Sequence, residues 1–335
     1  MPVSLLSERP LHPDPLVTSL LSHPVTDAAS ALAWARTVDV VPGIGRTREL
    51  WEALATAAAI DLGAARAMEP HLDALAILTQ AGRAELTGNG SWGVFAAEGG
   101  EPVRAREDGT LWSVTGTKQW CSLADRLDLA LISATIDDGQ RALFAVDLRG
   151  DGVEVEQGAW HARGLAEIPS GPVRFAEVSA MPIGEPGWYL ERAGFSWGGM
   201  AVAACWYGGA IGLARSLFAA ASADKPFLLM HLGAIDEALE SARRALAEGA
   251  TLVDEGHASG ARGRLLAKRV RATVARAVED TLTRVGHALG PSPLALDEEH
   301  AKRVADLELY VRQYHAEKDQ ASLGEALLRS GTPPW

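Results

Sequence analysis

The chain has 335 residues, 47% hydrophobic and 22% charged, with a formal net charge of −12. This length predicts a core of good size in one to three structural units, and the acidic balance argues against nucleic acid or anionic membrane as a partner. The chain reads as lacking a charge-free run of about 18 apolar residues and a basic stretch before an apolar one at the N-terminus, so a soluble, cytoplasmic protein is expected.

Residues 1–48 carry Pro2, Pro10, Pro13, Pro15, Pro24 and Pro42. They predict an irregular arm with one short helix near 26–36, capped by Thr26 or Asp27. From 48 to 81, Leu50, Leu54, Leu62, Ala65, Met68, Leu72, Leu75 and Leu78 recur largely at helical steps of three and four. Pro70 predicts a break between two helices, because proline removes a helical donor. His71 and Asp73 follow that break. They read either as part of a site or, more plainly, as a first helical turn whose dipole favours an acid.

A block of short strands comes next, at 91–97, 111–115, 127–134, 142–147, 152–155 and 173–175. Turn signals at Gly88-Asn-Gly90, Glu107-Asp-Gly109 and Asp137-Asp-Gly139 separate several of them. Six or seven such strands predict a small antiparallel barrel or sandwich.

From 195 to 221 the chain is almost wholly apolar, which marks the central helix of a bundle. Gly208, Gly209 and Gly212 are costly inside a helix and predict the close approach of another element. Apolar stripes over 232–253, 266–289 and 304–327 complete a four-helix bundle. Three regions are therefore expected: a helical arm and domain at 1–88, a β-barrel domain at 89–188 and a helical bundle at 189–335.

Cys121 and Cys205 read as reduced thiols, and His12, His23 and His71 lack ligand spacing. Arg264, Lys268 and Arg271 share one helix side. They could meet a phosphate, but a solvated outer face is the plainer reading.

The segment Thr115-Gly-Thr-Lys-Gln-Trp-Cys-Ser122 joins a strand to a cluster of polar and aromatic side chains. It resembles the Gly-x-Lys-x-Trp-Ile-Thr/Ser segment of the acyl-CoA dehydrogenase family. Phe175-Ala-Glu-Val178 through Pro182 is similar to that family's Phe-x-x-Val-x-Val-Pro strand. Ala301-Lys-Arg-Val-Ala-Asp306 is similar to its closing Arg-Asp segment. The order of helical domain, β-barrel and C-terminal four-helix bundle is also the family's, an α+β architecture.

The resemblance implies FAD held between barrel and bundle, and a homodimer or homotetramer acting on a small-molecule substrate such as an acyl-CoA. It places Trp120 against the flavin ring and Ser122 near the ring's N5 side. Phe95, Ala97 and Cys121 fall on the same two flavin segments, with Glu98 the matching acid of the first.

The chain reads as a divergent, shortened member. The Gly-Ser-Asp part of the first flavin segment is absent, and the turn at Asp224-Lys-Pro-Phe227 is short. Gly286-His-Ala-Leu-Gly290 resembles the adenosine-side turn. The two positions where the family carries its glutamate base fall on Tyr314 and near Val202. His315, whose unperturbed pKa suits proton transfer, and Glu317 are the substitute candidates. Three functions follow from these residues: a flavin-dependent acyl thioester oxidoreductase, a flavin-dependent oxygenase of the same fold, or a cofactor-free binding protein.

Overall fold

The computed structural model describes residues 1–335 apart from Arg9, Pro24, Asn89, Glu98, Asp138 and Pro334. The acid Glu98 and the central residues of two expected turns, Asn89 and Asp138, therefore lie outside the described residues.

The arm holds two helices rather than one, α1 (Pro15–Ser22) and α2 (Ala28–Ala35). Pro15 opens α1, where its missing N–H costs nothing. Asp27 caps α2 by accepting from the Ser30 N–H at 2.8 Å. Next come α3 (Thr47–Ile60) and α4 (Leu62–Gln80).

The break between these two helices falls at Asp61, not at Pro70. The Asp61 carboxylate accepts from the Ala64 N–H at 2.8 Å and starts a new helix. Pro70 sits inside α4, which continues through it. Burial holds the helix across the lost bond, since Met68, Glu69, His71 and Leu72 around Pro70 are all buried. His71 and Asp73 are thus mid-helix, and the first-turn reading of Asp73 is corrected.

Seven strands form one sheet: β1 (Trp92–Phe95), β2 (Arg104–Asp108), β3 (Leu111–Lys118), β4 (Leu129–Thr135), β5 (Arg141–Asp147), β6 (Val153–Val155) and β7 (Val173–Ile183). Six of them follow the order β1-β4-β2-β3-β7-β5, β6 pairs with β7 off this path, and a β4–β5 pairing closes a ring. The expected all-antiparallel sheet is corrected to a mixed one, because β1 and β2 both run parallel to β4. A long loop rather than a tight hairpin joins β3 to β4. That length lets β4 lie in the same direction as its neighbours β1 and β2.

Alternation along the strands buries two faces. Phe95, Ala130, Ile132, Phe144 and Phe175 belong to the main core. Trp92, Leu131, Leu143 and Ile183 face the other way and pack on Ala74, Ile77 and Leu78 of α4. This second cluster fixes α4 against the sheet.

After the short helix α5 (Trp188–Glu191), the bundle comprises α6 (Ala193–Ala220), α7 (Pro226–Asp254), α8 (Gly260–Leu289), α9 (Pro291–Leu296) and α10 (Glu298–Tyr310). A 3₁₀ turn at Val311–Gln313 separates α10 from α11 (Glu317–Arg329), so the expected fourth helix is interrupted. By length and composition α6 could cross a membrane, which corrects the expectation that no charge-free apolar run of that length exists. However, 72% of its most apolar window is buried inside the molecule, packed on α3, α4, α7, α8 and α10. Full burial of a side chain such as Leu213 stabilises this helix by roughly 1.5–3 kcal/mol.

The glycines of α6 serve the predicted close approach. A Cβ at Gly208 would overlap the Ala55 carbonyl of α3. A Cβ at Gly209 would lie 2.9 Å from the Leu307 side chain.

Candidate functional site

The loop after β3 is strained and tied down. Trp120 and Leu123 both adopt left-handed backbone, with φ of 63° and 57°. Non-glycine residues rarely hold that conformation unless surrounding bonds enforce it. Here the Cys121 N–H donates to the Gly171 carbonyl at 3.1 Å and the Leu123 N–H to the Pro169 carbonyl at 2.8 Å. Ser122 Oγ lies 2.7 Å from Ser170 Oγ.

The result turns Trp120 outward, 57% exposed, with the Trp160 ring edge-on at 6.5 Å. Ser122 turns inward and is buried. Lys118 of the same segment anchors the strand, its Nζ donating to Ser133 Oγ at 2.8 Å and to the Ser133 carbonyl at 3.1 Å.

Ser122 meets α4. Arg66 Nη2 donates to its Oγ at 2.8 Å, and the guanidinium lies 5.6 Å from the centre of the Tyr310 ring on α10. The other terminal nitrogen, Arg66 Nη1, is buried with no hydrogen-bond partner among the described residues.

Arg66, Glu69 and Asp73 are the Asp, Glu, Lys or Arg residues of α4, and their spacing places them along one helix side. Asp73 lies 3.6 Å from Arg192, which also donates to Gln80 Oε1 at 2.9 Å. Gly198 of α6 makes room for Asp73, since a Cβ there would come within 2.8 Å of its carboxylate. From α8, Arg271 reaches in, 4.6 Å from the centre of the Trp206 ring. It donates to the Gly199 carbonyl at 2.8 Å and the Gln313 carbonyl at 3.0 Å.

A polar seam therefore runs from Ser170 through Ser122, Arg66, Glu69 and Asp73 to Arg192. It lies where the sheet, α4 and the bundle meet. Burial and the neighbouring Asp73 push the Glu69 carboxyl up, to about 8, against the opposing pull of Arg66 and Arg271. Burial also raises Asp73, against Arg192. His71 is held neutral, its pKa lowered to about 4 by burial, with Nδ1 accepting from the Trp92 N–H at 3.1 Å.

Of the expected site residues, Trp120 and Ser122 flank one turn of this seam. Ala97 is exposed just past β1. The loop that follows it comes close, because a Cβ at Gly99 would sit 3.6 Å from the Gln119 side chain. The Phe95 side chain is buried in the core. Cys121 is buried too, with Sγ 3.3 Å from the Lys118 carbonyl, and burial pushes its thiol up to about 12.

His315 and Glu317 are exposed at the start of α11, and the His315 N–H donates to Asp319 at 3.1 Å. The last residues of α8 include Gly286, and Gly290 caps that helix. Asp306 ties the bundle to the sheet domain by accepting from the Leu165 N–H at 2.6 Å.

The solvated-face reading of Arg271 is corrected, since its side chain is closed in by Trp206, Gly199 and Gln313. Sequence reasoning also passed over Arg66 and Glu69. Their signal was present: an otherwise apolar helix carrying three charges spaced to share one side.

Solved structures share this fold over nearly their whole length. FMN-bound TdsC from Paenibacillus sp. A11-2 superposes with a TM-score of 0.80 at 15% identity, covering 95% of this chain and 97% of that one. TdsC is a dibenzothiophene monooxygenase. KijD3, in complex with FMN and a dTDP-linked amino keto sugar, gives 0.79 at 17% identity, covering 96% and 95%. A nitrososynthase from Micromonospora carbonacea var. africana gives 0.76 at 16% identity, covering 98% and 100%. The chain has the acyl-CoA dehydrogenase-like fold. No protein-family model and no curated protein matches the sequence.

Proposed function

We propose that this protein is a flavin-dependent oxidoreductase that acts on a small molecule at the junction of sheet and bundle. The carrying observation is the arrangement of Trp120, Ser122 and Arg66 within a fold shared with FMN-bound proteins. Likeness of fold alone does not set a reaction, so the residues must carry the argument.

Those residues suit a flavin. Its ring system is flat and largely apolar, with acceptor atoms along one edge. Trp120 offers an exposed flat surface to such a ring. Arg66 offers a buried nitrogen without a partner, which an acceptor would satisfy. Ser122 adds a hydroxyl that can donate or accept. Bound there, the flavin would supply two-electron chemistry or the activation of oxygen. The protein's part is then to wall the ring with Trp120, orient its polar edge with Arg66 and Ser122, and set positive charge beside it. FAD was expected from sequence; the reading supported here is a flavin, with FMN and FAD to be compared directly.

The second reading, flavin-dependent oxygenation rather than acyl thioester dehydrogenation, rests on a specific observation. The positions that resemblance assigns to the base fall on Tyr314, whose hydroxyl accepts from Gln320 Nε2 at 2.8 Å, and near Val202. Neither side chain takes an α-proton at neutral pH.

An absorption spectrum of the protein, alone and after mixing with FMN or FAD, tests the flavin. A colourless protein whose spectrum and melting temperature ignore both flavins sinks the proposal. Bleaching by acyl-CoA under nitrogen, compared with oxygen uptake by the reduced protein, separates dehydrogenation from oxygenation.

A further inference from the structure

Glu69 has no place in the binding roles given above, yet it is the most enclosed acid of the seam. It is 7% exposed and, among the described residues, forms no hydrogen bond or ion pair. A buried carboxyl without a partner is costly, so its surroundings must account for it.

The titratable and charged groups around it come from every packed element. Arg66 and Asp73 belong to its own helix, Tyr189 to α5, Arg192 to the start of α6, Cys205 to α6, Arg271 to α8 and Tyr310 to α10. Arg192 is engaged with Asp73, and Arg66 with Ser122. Glu69 thus lies within electrostatic reach of two guanidinium groups without being tied to either.

We propose that Glu69 is the proton-transfer residue of this site: its carboxyl gives a proton to, or takes one from, a small substrate bound beside Arg66 and Ser122. The inference rests on the flavin reading for the identity of the site. In the transfer, the O–H bond at Glu69 breaks as a bond from that hydrogen to the substrate forms, or the reverse. The negative charge left on Glu69 faces Arg66 and Arg271. Enclosure keeps the carboxyl neutral near pH 7, so one group can serve as donor or as acceptor across a narrow pH range. Asp73, four residues on, is 18% exposed at its side chain, and its charge helps to raise the Glu69 carboxyl.

Two measurements on the whole 335-residue chain test this without a known substrate. First, carboxyl ¹³C NMR of protein labelled at glutamate is recorded for wild type and Glu69→Gln. The line missing in the variant is expected to titrate well above the ordinary glutamate range, and lower in Asp73→Asn than in wild type. Second, the protein is loaded with FMN and titrated with dithionite at a series of pH values. The plot of potential against pH should change slope near the Glu69 midpoint in wild type and show no such change in Glu69→Gln. Once a substrate is found, turnover should fall by roughly 100-fold or more in Glu69→Gln and recover in part in Glu69→Asp.

An ordinary titration of the Glu69 line, or a slope change that persists in Glu69→Gln, overturns the proposal. If FMN and FAD both fail to bind, the flavin reading falls while the NMR still decides whether Glu69 stores a proton. The melting temperature of Glu69→Gln at pH 6 guards against a folding defect. A neutral amide of the same shape should match the neutral acid there.

Discussion

Arg66 and Ser122 stand 56 positions apart in the chain and meet at 2.8 Å, joining the long helix α4 to the strained loop after β3. This contact is the only direct hydrogen bond between side chains of α4 and that loop among the described residues. It places a permanent positive charge at the junction of sheet and bundle.

Arg66→Ala should therefore weaken flavin binding. A hydrogen bond from a charged donor is worth about 1.5–3 kcal/mol, so an affinity loss of roughly 10- to 100-fold is expected. Fluorescence titration of FMN into wild type and variant measures it. Tighter binding in Arg66→Ala would mean that the guanidinium blocks the ring instead of holding it.

Trp120→Ala separates binding from stability. More than half of this side chain is open, so its loss should barely change the melting temperature. A flat wall for the ring would disappear with it, lowering flavin affinity on the order of tenfold. Unchanged affinity would remove Trp120 from the site.

The packing of α6 on α3 predicts a contrast between two glycines. Gly208→Ala forces a methyl group onto the Ala55 carbonyl and should cost about 1–3 kcal/mol. Gly324→Ala, in α11 with open space around its Cβ position, should stabilise by about 0.5–1 kcal/mol. Denaturant unfolding of both variants, followed by helix signal, provides the check.

His71 predicts sensitivity to acid. Its folded pKa of about 4 lies below the ordinary value of 6.5. Between those limits the unfolded chain binds the extra proton, so its contribution to stability is lost as pH falls from about 6.5 towards 4. Glu69 acts with the opposite sign. Its raised pKa means that the folded state holds the extra proton, and stability drains as pH rises from about 4.5 to 8. Melting temperatures from pH 4 to 8 should thus fall less steeply on the acid side in His71→Asn. On the neutral side they should fall less steeply in Glu69→Gln.

Much of the fold was legible from local pattern. Alternation marked most of the strands, three- and four-residue spacing marked the long helices, and the glycines of α6 announced a close approach that Ala55 and Leu307 supply. Pro70 misled because its local cost is real, but burial on both sides carries α4 through it. The parallel placement of β1 and β2 beside β4 was hidden, since pairing direction depends on where the loops lead.

The sequence by itself determined the order of helical, sheet and bundle segments, and it singled out the turn containing Trp120 and Ser122. These follow from periodicity and from side-chain types held within a few neighbours. Only the tertiary structure decided that Trp120 faces out, that Cys121 is sealed in, and that Arg66, Glu69 and Arg271 converge from two helices on Ser122's side of the junction. Convergence of that kind depends on distances between remote segments. Burial then changes what each group is: it leaves Glu69 without a partner and favours its neutral form, a property that the residue's letter in the chain does not carry.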